Sequence, residues 1–299
     1  MPPSVCFPFW ARRQLAETDV VPALALDLAY FAQRRWNDEQ SSALWQYLAQ
    51  SAPNGAWVAK DAGDSIGIAL PHALEEEWFL ADLFVEPSFR GQGIGMRLLS
   101  EAARNAEDVA RSGLAPMDAV DALAFLVHRG LPLHAPVFVL RGDIPHENEL
   151  LRMASGDYRF ATQAIDLQVH RGALNALDRE IRGAARPLDH HYFASNAHGV
   201  AFLLHGEFVA YTYVWPNGRI GPMCASSAAY LRQLFAFALV ALRQVYDARW
   251  CTALVPGSNI RVMRTGVRAG LRIDAASIFA SDGIAFDLSR YIGFHPLLF

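Results

Sequence analysis

Along the first 142 residues the apolar positions change period several times, and each change predicts an element. Helical spacing runs from Asp19 to Trp36 and again from Glu39 to Gln50. Short alternating apolar runs follow at Ala56 to Lys60, Ser65 to Pro71 and Glu77 to Val85, and these read as strands. An amphipathic helix is predicted over 96–106, another over Asp118 to Arg129, and a closing strand over Val137 to Arg141. From Gly142 to Gly156 the chain is polar and turn-rich, as connections between domains are, which puts a boundary near residue 150. A second cycle then starts, with a strand at Phe160 to Asp166, a helix at Ala173 to Arg182 and strands at Gly199 to Leu204 and Phe208 to Trp215. A long helix from Ala228 to Ala248, a strand from Trp250 to Leu254 and a helix from Ile260 to Ala269 complete it. The second half repeats the first in outline, so the expected domains are 1–150 and 151–299.

The most informative junction joins the strand ending Leu83-Phe84-Val85-Glu86-Pro87 to the helix after it. The connection Arg90-Gly91-Gln92-Gly93-Ile94-Gly95-Met96 has glycines at alternate positions. Glycine reaches positive φ and lets the backbone approach a ligand, so successive N–H groups can converge on an anion at the positive end of the helix dipole. A nucleotide-triphosphate loop would require Gly-Lys-Ser/Thr, but Lys60 is the sole lysine of the sequence. A dinucleotide fingerprint counted from Gly91 and Gly93 would put its third small residue at Met96, and it fails. What remains is Arg-x-x-Gly-x-Gly, at Arg90, Gly93 and Gly95.

This junction resembles the acyl-CoA pyrophosphate loop of the GNAT acetyltransferase superfamily, and the element order over residues 10–142 is similar to that family's layout. The resemblance implies an α/β fold of two tandem GNAT-like domains, each a mixed, mostly antiparallel sheet flanked by helices. It also implies acetyl-CoA as co-substrate, held by Phe84 and Val85 of the strand and by Arg90, Gly91, Gln92, Gly93, Ile94, Gly95 and Met96 of the loop. The family's proton-donating tyrosine falls on Leu126 when Gly130-Leu131 is taken as its Gly-Phe pair, with Ala119 and Ala122 on the preceding asparagine and alanine. In the second half Asn259 falls on the asparagine and Gly266 on the tyrosine, ahead of Gly270-Leu271. There the string Gly218-Arg-Ile-Gly-Pro stands where a phosphate loop should enter the helix, and closely spaced glycines are missing. The second half therefore looks like the degenerate half of bacterial tandem-GNAT proteins.

Acetyl transfer to an amine also needs a proton acceptor. Asp82 is the candidate general base, since strand alternation puts it on the face of Leu80 and Phe84. A buried structural carboxylate paired with an arginine is the equally open alternative. Glu75-Glu76-Glu77 reads as an acceptor entrance or a solvated turn. Tyr211, Tyr213 and Trp215 share one strand face, as core or as the border of an acceptor pocket. Asp189-His190-His191 lacks metal-site spacing, because adjacent histidines on a strand point apart, and no metal is expected.

Composition narrows the class further. The 299 residues suffice for two cores, and 53% hydrophobic with 19% charged residues and a net charge of −4 disfavours nucleic-acid or anionic-membrane partners. Cys6, Cys224 and Cys251 are odd in number and scattered, which fits reducing cytoplasm. The apolar run Leu234 to Leu242 is too short for a bilayer span of roughly 20 residues. The expected function is acetyl transfer from acetyl-CoA to a primary amine of a small molecule. A protein amine, a non-catalytic acyl-CoA-binding regulator and a homodimer all stay open.

Overall fold

The computed structural model describes residues 18–35, 39–51, 55–74, 76–104, 106, 108–283 and 286–299, with backbone alone at 32–35 and 39–42. The first cycle runs β1 (Asp19–Pro22), α1 (Ala25–Arg35), α2 (Glu39–Ser51), β2 (Trp57–Asp61), β3 (Asp64–Ala73), β4 (Glu77–Val85), α3 (Ile94–Ala102), β5 (Ala110–Pro116), α4 (Val120–His128) and β6 (Leu133–Asp143). A helix, α5 (Glu147–Ala154), follows. The second cycle repeats the order element for element: β7 (Ala161–Ala164), α6 (Leu167–Arg182), α7 (Pro187–Asn196), β8 (His198–Leu204), β9 (Glu207–Val214), β10 (Arg219–Ala225), α8 (Leu231–Tyr246), β11 (Trp250–Pro256), α9 (Ile260–Arg268) and β12 (Arg272–Ser281). A short strand, β13 (Tyr291–Ile292), lies beyond the repeat.

The strands form one mixed, mostly antiparallel sheet in the order β1-β2-β3-β4-β5-β12-β6-β11-β10-β9-β8-β7, with β13 paired to β10. Swapping the two cycles turns this order into itself. The last strand of each cycle is exchanged: β12 pairs with β5 from Ser277↔Pro116 to Ser281↔Ser112, and with β6 along its other edge. β6 in turn pairs with β11 from Trp250↔Asp143 to Pro256↔Val137. Only two neighbouring pairs of the main order are parallel, β4–β5 and β10–β11, one in each cycle. The internal repeat extends to helix ends, since α4 and α9 both stop at a left-handed glycine, Gly130 at φ +80° and Gly270 at φ +87°. That conformation carries little penalty only without a Cβ.

Two apolar layers clothe the sheet in the first half. Ile68, Leu70 and Phe79 join Phe31, Leu44, Trp45 and Leu48 of α1 and α2 in the large core. Ile66, Ala69 and Trp78 pack instead on Ile94, Leu98 and Leu99 of α3.

Several sequence expectations need correction. The predicted helix from Asp19 begins with strand β1, and Trp36 lies outside the described residues. The polar segment 142–156 contains α5, whose Leu150 and Ala154 are buried against α8, where the Gln233 amide donates to the carbonyl of Ala154 at 3.0 Å. Asp189-His190-His191 belongs to helix α7 and not to a strand. The string after Gly218 is strand β10. Ala110–Pro116 and Arg272–Ser281 carry few β-branched residues, so β5 and β12 owe their conformation to pairing with sequence-distant strands and not to a local pattern.

Candidate functional site

β4 and β5 start as a regular parallel pair, from Glu77↔Ala110 to Leu80↔Gly113, and their pairing ends there. Beyond that point residues 81–85 present a strand edge with no β5 ladder. The parting coincides with a bulge: Leu70 faces Asp82 but Pro71 faces Leu80, so Ala81 is an extra residue in β4. Pro71 has no N–H to give to a regular ladder. The bulge corrects the simple alternation reading of this strand. Leu80, Leu83 and Val85 pack toward α3, whereas Phe79, Ala81 and Phe84 face the α1–α2 core. Asp82, opposite Leu70, takes that second face and is 5% exposed.

A cavity of about 1000 Å³ fills the gap between the parted strands. Among the expected site residues Asp82, Phe84, Val85, Arg90, Gly91, Gly93, Ile94, Gly95 and Met96 all line it. Gln92 does not; its side chain turns back toward the carbonyl of Ser88 at 3.4 Å. Gly91 and Gly93 have φ +75° and +81°, and a Cβ built on either would meet nothing within 4 Å. The constraint is therefore conformational, and the space above the loop is open. Gly93 caps α3 without any side-chain partner, so among the described residues the first-turn N–H groups at 94–96 have neither an intrahelical nor a capping acceptor. Arg90 is braced by a 2.9 Å bond from its Nε to the carbonyl of Val85, with its guanidinium 6.0 Å from the Phe84 ring centroid. An anion at this loop would meet outward N–H groups, a helix N-terminus and a held cation. The donor set and the open cradle fit a pyrophosphate.

Some of the other lining residues carried no sequence signal, and Leu126 carried one only through the resemblance. Gly113 sits where the strands part, and a Cβ there would be 3.6 Å from Leu80 and 3.7 Å from Leu126. Leu126, at the place the resemblance gives to a tyrosine, is 5% exposed and joins the lining, whereas His128 on the same helix is exposed. Pro296 and Leu297 also line the cavity, though they lie more than 200 residues away from Asp82 in sequence.

The equivalent place in the second half is filled. β10 and β11 pair in parallel only at Arg219↔Thr252 and Ile220↔Ala253, and β10 also bulges, between Ile220 and Met223. Beyond the bulge β13 enters the gap, pairing Met223↔Ile292 and Cys224↔Tyr291, and Gly293 donates to the Leu254 carbonyl at 2.8 Å. Residues 226–230, between β10 and α8, hold no glycine.

Below this plug lies a buried polar cluster. Asp178 accepts from Tyr211 at 2.6 Å and pairs with His190 at 2.7 Å, and Arg186 donates to Tyr211 at 2.7 Å. Burial opposes ionisation of Asp178, but the Arg186 and His190 charges and the hydrogen bonds from His190 and Tyr211 outweigh it, so its carboxyl stays well below the usual range. Burial lifts the Cys224 thiol to about 12, which makes it a poor nucleophile. Tyr211, Tyr213 and Trp215 are buried core residues and do not line the cavity beside β4.

Glu77 is no acceptor entrance either. It is buried in an ion pair with Arg182 at 2.9 Å, and Arg182 also donates to Tyr291 at 3.0 Å and to the Phe299 carbonyl at 2.7 Å. Glu76 is exposed, and Glu75 lies outside the described residues. A second link crosses the halves: His72 of β3 meets Asp189 of α7 at 3.1 Å, and Asp189 accepts from Tyr47 at 2.5 Å. Among the described residues no cluster of three or more His, Cys, Asp or Glu could hold a metal ion, and no helix is long and apolar enough to cross a membrane.

The comparisons agree with this geometry. The sequence profile of the GNAT acetyltransferase domain matches residues 52–129, the span from the approach to β2 through the end of α4. No curated protein matches the chain. A putative acetyltransferase from Pyrococcus horikoshii superposes with a TM-score of 0.70 at 12% identity, covering 94% of this chain and 96% of that one. A tandem GNAT protein from the clavulanic acid biosynthesis pathway gives 0.57 at 17% identity, covering 89% and 98%. A GCN5-related N-acetyltransferase from Sphaerobacter thermophilus gives 0.60 at 13% identity, covering 88% and 95%. Residues 52–129 thus match the GNAT acetyltransferase domain, and the chain shares the fold of solved acetyltransferases that include a tandem GNAT protein.

Proposed function

We propose that the chain is an N-acetyltransferase that binds acetyl-CoA through residues 1–150, in the cavity beside β4, and acetylates a primary amine of a small molecule, with residues 151–299 as a structural partner. The observation that carries this reading is the open cradle at Arg90–Met96 above a cavity that runs along β4 to Asp82. When bound, acetyl-CoA supplies an acetyl thioester: the acceptor nitrogen forms the C–N bond, the C–S bond breaks, and of the two protons lost by the ammonium one ends on the sulfur. The N–H groups of 94–96 and Arg90 hold the phosphates. The unpaired edge of β4 at 81–85 offers N–H and C=O groups to the pantetheine amides and to the developing oxyanion. Asp82 takes the other proton, directly or through water. With Leu126 where a tyrosine acid would stand, the thiolate leaves without a dedicated donor, which its mildly basic pKa permits.

The test is release of free thiol from acetyl-CoA with a panel of primary amines. Asp82→Asn should lower kcat by about 10²–10⁴ while CoA affinity holds. Cofactor binding without turnover on any amine, indifferent to Asp82→Asn, would instead fit an acyl-CoA-binding regulator, the reading that Leu126 favours.

A further inference from the structure

Where β4 and β5 close, the cavity has an apolar floor. Their pairing ends at Leu80↔Gly113, and on the side of α4 the two strands present Leu80, Gly113 and Ala115. Ala122, Phe125 and Leu126 of α4 stand over them, and all six line the cavity. None of the six carries a polar side-chain atom. Asp121, which also lines the cavity, is exposed in the first turn of α4, away from Leu126.

The room on this floor comes from β5. Residues 113 and 115 alternate onto one face of the strand, and both are small. A Cβ built on Gly113 would lie 3.6 Å from the Cβ of Leu80 and 3.7 Å from Cδ2 of Leu126, ordinary contact distances. Gly113 is not among the glycines at positive φ, so its backbone makes no demand for glycine. The strand thus leaves a gap of about one methyl group between two leucines, and the fold does not require it. Leu126 sets the character of the wall: it is the one buried residue of α4, and it stands where the resemblance gives a hydroxyl-bearing side chain. A thioester whose phosphates are held at 90–96 and whose arm follows the open edge of β4 from Val85 back to Leu80, about 17 Å of strand, ends at this floor.

We propose, building on the acetyl-transfer reading above, that Leu80, Gly113 and Leu126 seat the acyl group of the donor, and that the seat takes one carbon more than acetyl, so propionyl-CoA is the preferred donor. The bonds exchanged stay the same: the acceptor nitrogen joins the acyl carbon, the C–S bond breaks, and one of the two ammonium protons ends on the sulfur. The added methylene leaves water for the gap over Gly113, which is worth about fourfold in affinity. The seat lies across the sheet from the face of Asp82, and it acts without that carboxylate.

Calorimetric titration of the intact protein, without amine, with CoA, acetyl-CoA, propionyl-CoA and hexanoyl-CoA reads the seat by binding alone. Propionyl-CoA should bind about fourfold tighter than acetyl-CoA, and hexanoyl-CoA no tighter than propionyl-CoA. Gly113→Ala fills the gap by ordinary contact and should reverse the order of acetyl-CoA and propionyl-CoA. Leu126→Ala should extend the preference to hexanoyl-CoA. Thiol release with a panel of primary amines should rank the donors in the same order by kcat/KM. Acetyl-CoA bound as tightly as propionyl-CoA by the wild type, or an order that neither folded variant moves, would overturn this inference and leave acetyl transfer standing. The propionyl gain without thiol release on any amine would keep the seat and overturn the transfer, and absence of CoA binding would overturn both.

Discussion

The two halves present the same fork in the sheet and do opposite things with it. β4 and β5 part at a bulge and leave a cavity of about 1000 Å³, whereas β10 and β11 part at a bulge and receive β13. The loops after the forks differ to match. Glu86 to Gly93 spans eight positions and carries two left-handed glycines, while Ser226 to Tyr230 spans five and carries none. Filling the second fork buries Tyr291, Ile292 and Phe294 completely and brings Pro296 and Leu297 to the first. The segment that fills the second fork thus continues into the wall of the cavity at the first.

The largest effect that could break this comparison comes from separating the halves. A chain ending at residue 150 would lack β12 and leave the inner edges of β5 and β6 without their shared partner. Neither 1–150 nor 151–299 should give a cooperative unfolding transition alone, and mixing them should restore one; independent folding of either would contradict the importance of strand exchange. Next in size is Arg182→Met. It strands the buried Glu77 carboxylate and the Phe299 carbonyl, so we expect a loss of about 3–5 kcal/mol in chemical denaturation. A loss under about 1 kcal/mol would mean that the link between β4 and α6 is incidental.

The smallest is an acid effect. Burial raises the Asp189 pKa, but His72, the Arg186 charge and the Tyr47 hydrogen bond outweigh it and bring it from 3.8 to about 2. A carboxyl with a depressed folded-state pKa adds stability above its unfolded value and loses it as pH falls through the folded one. Stability should therefore decline between about pH 4 and pH 2, and Asp189→Asn should flatten that decline. An identical acid profile in the variant would contradict the assignment.

How much of this was legible in the sequence depended on how local each feature is. The cradle was legible because Arg90, Gly93 and Gly95 lie within six residues and glycine at positive φ is a local demand. The repeat was legible through Gly130-Leu131 and Gly270-Leu271, which close equivalent helices. The Ala81 bulge was not, because it depends on Pro71 across the ladder, and alternation alone put Asp82 on the face of Leu80. The roles of Glu77 and Tyr211 stay open in the sequence because their partners Arg182 and Asp178 come from other elements. The polar run 142–156 hid a helix because only Leu150 and Ala154 of it are buried. Pro296 and Leu297 reach the cavity only through the path of β13, which no local pattern encodes.

Calorimetric titration of CoA into the intact protein and into the Arg90→Ala, Gly93→Ala double variant tests the one-open, one-filled arrangement most directly. One CoA per chain should bind to the wild type. In the variant the lost cation contact and a loop relaxed away from the positive φ that alanine disfavours should together cost about 2–4 kcal/mol of affinity, and thermal unfolding should shift only slightly. Unchanged affinity in the variant, or a second CoA bound per chain, would contradict one open fork and one filled.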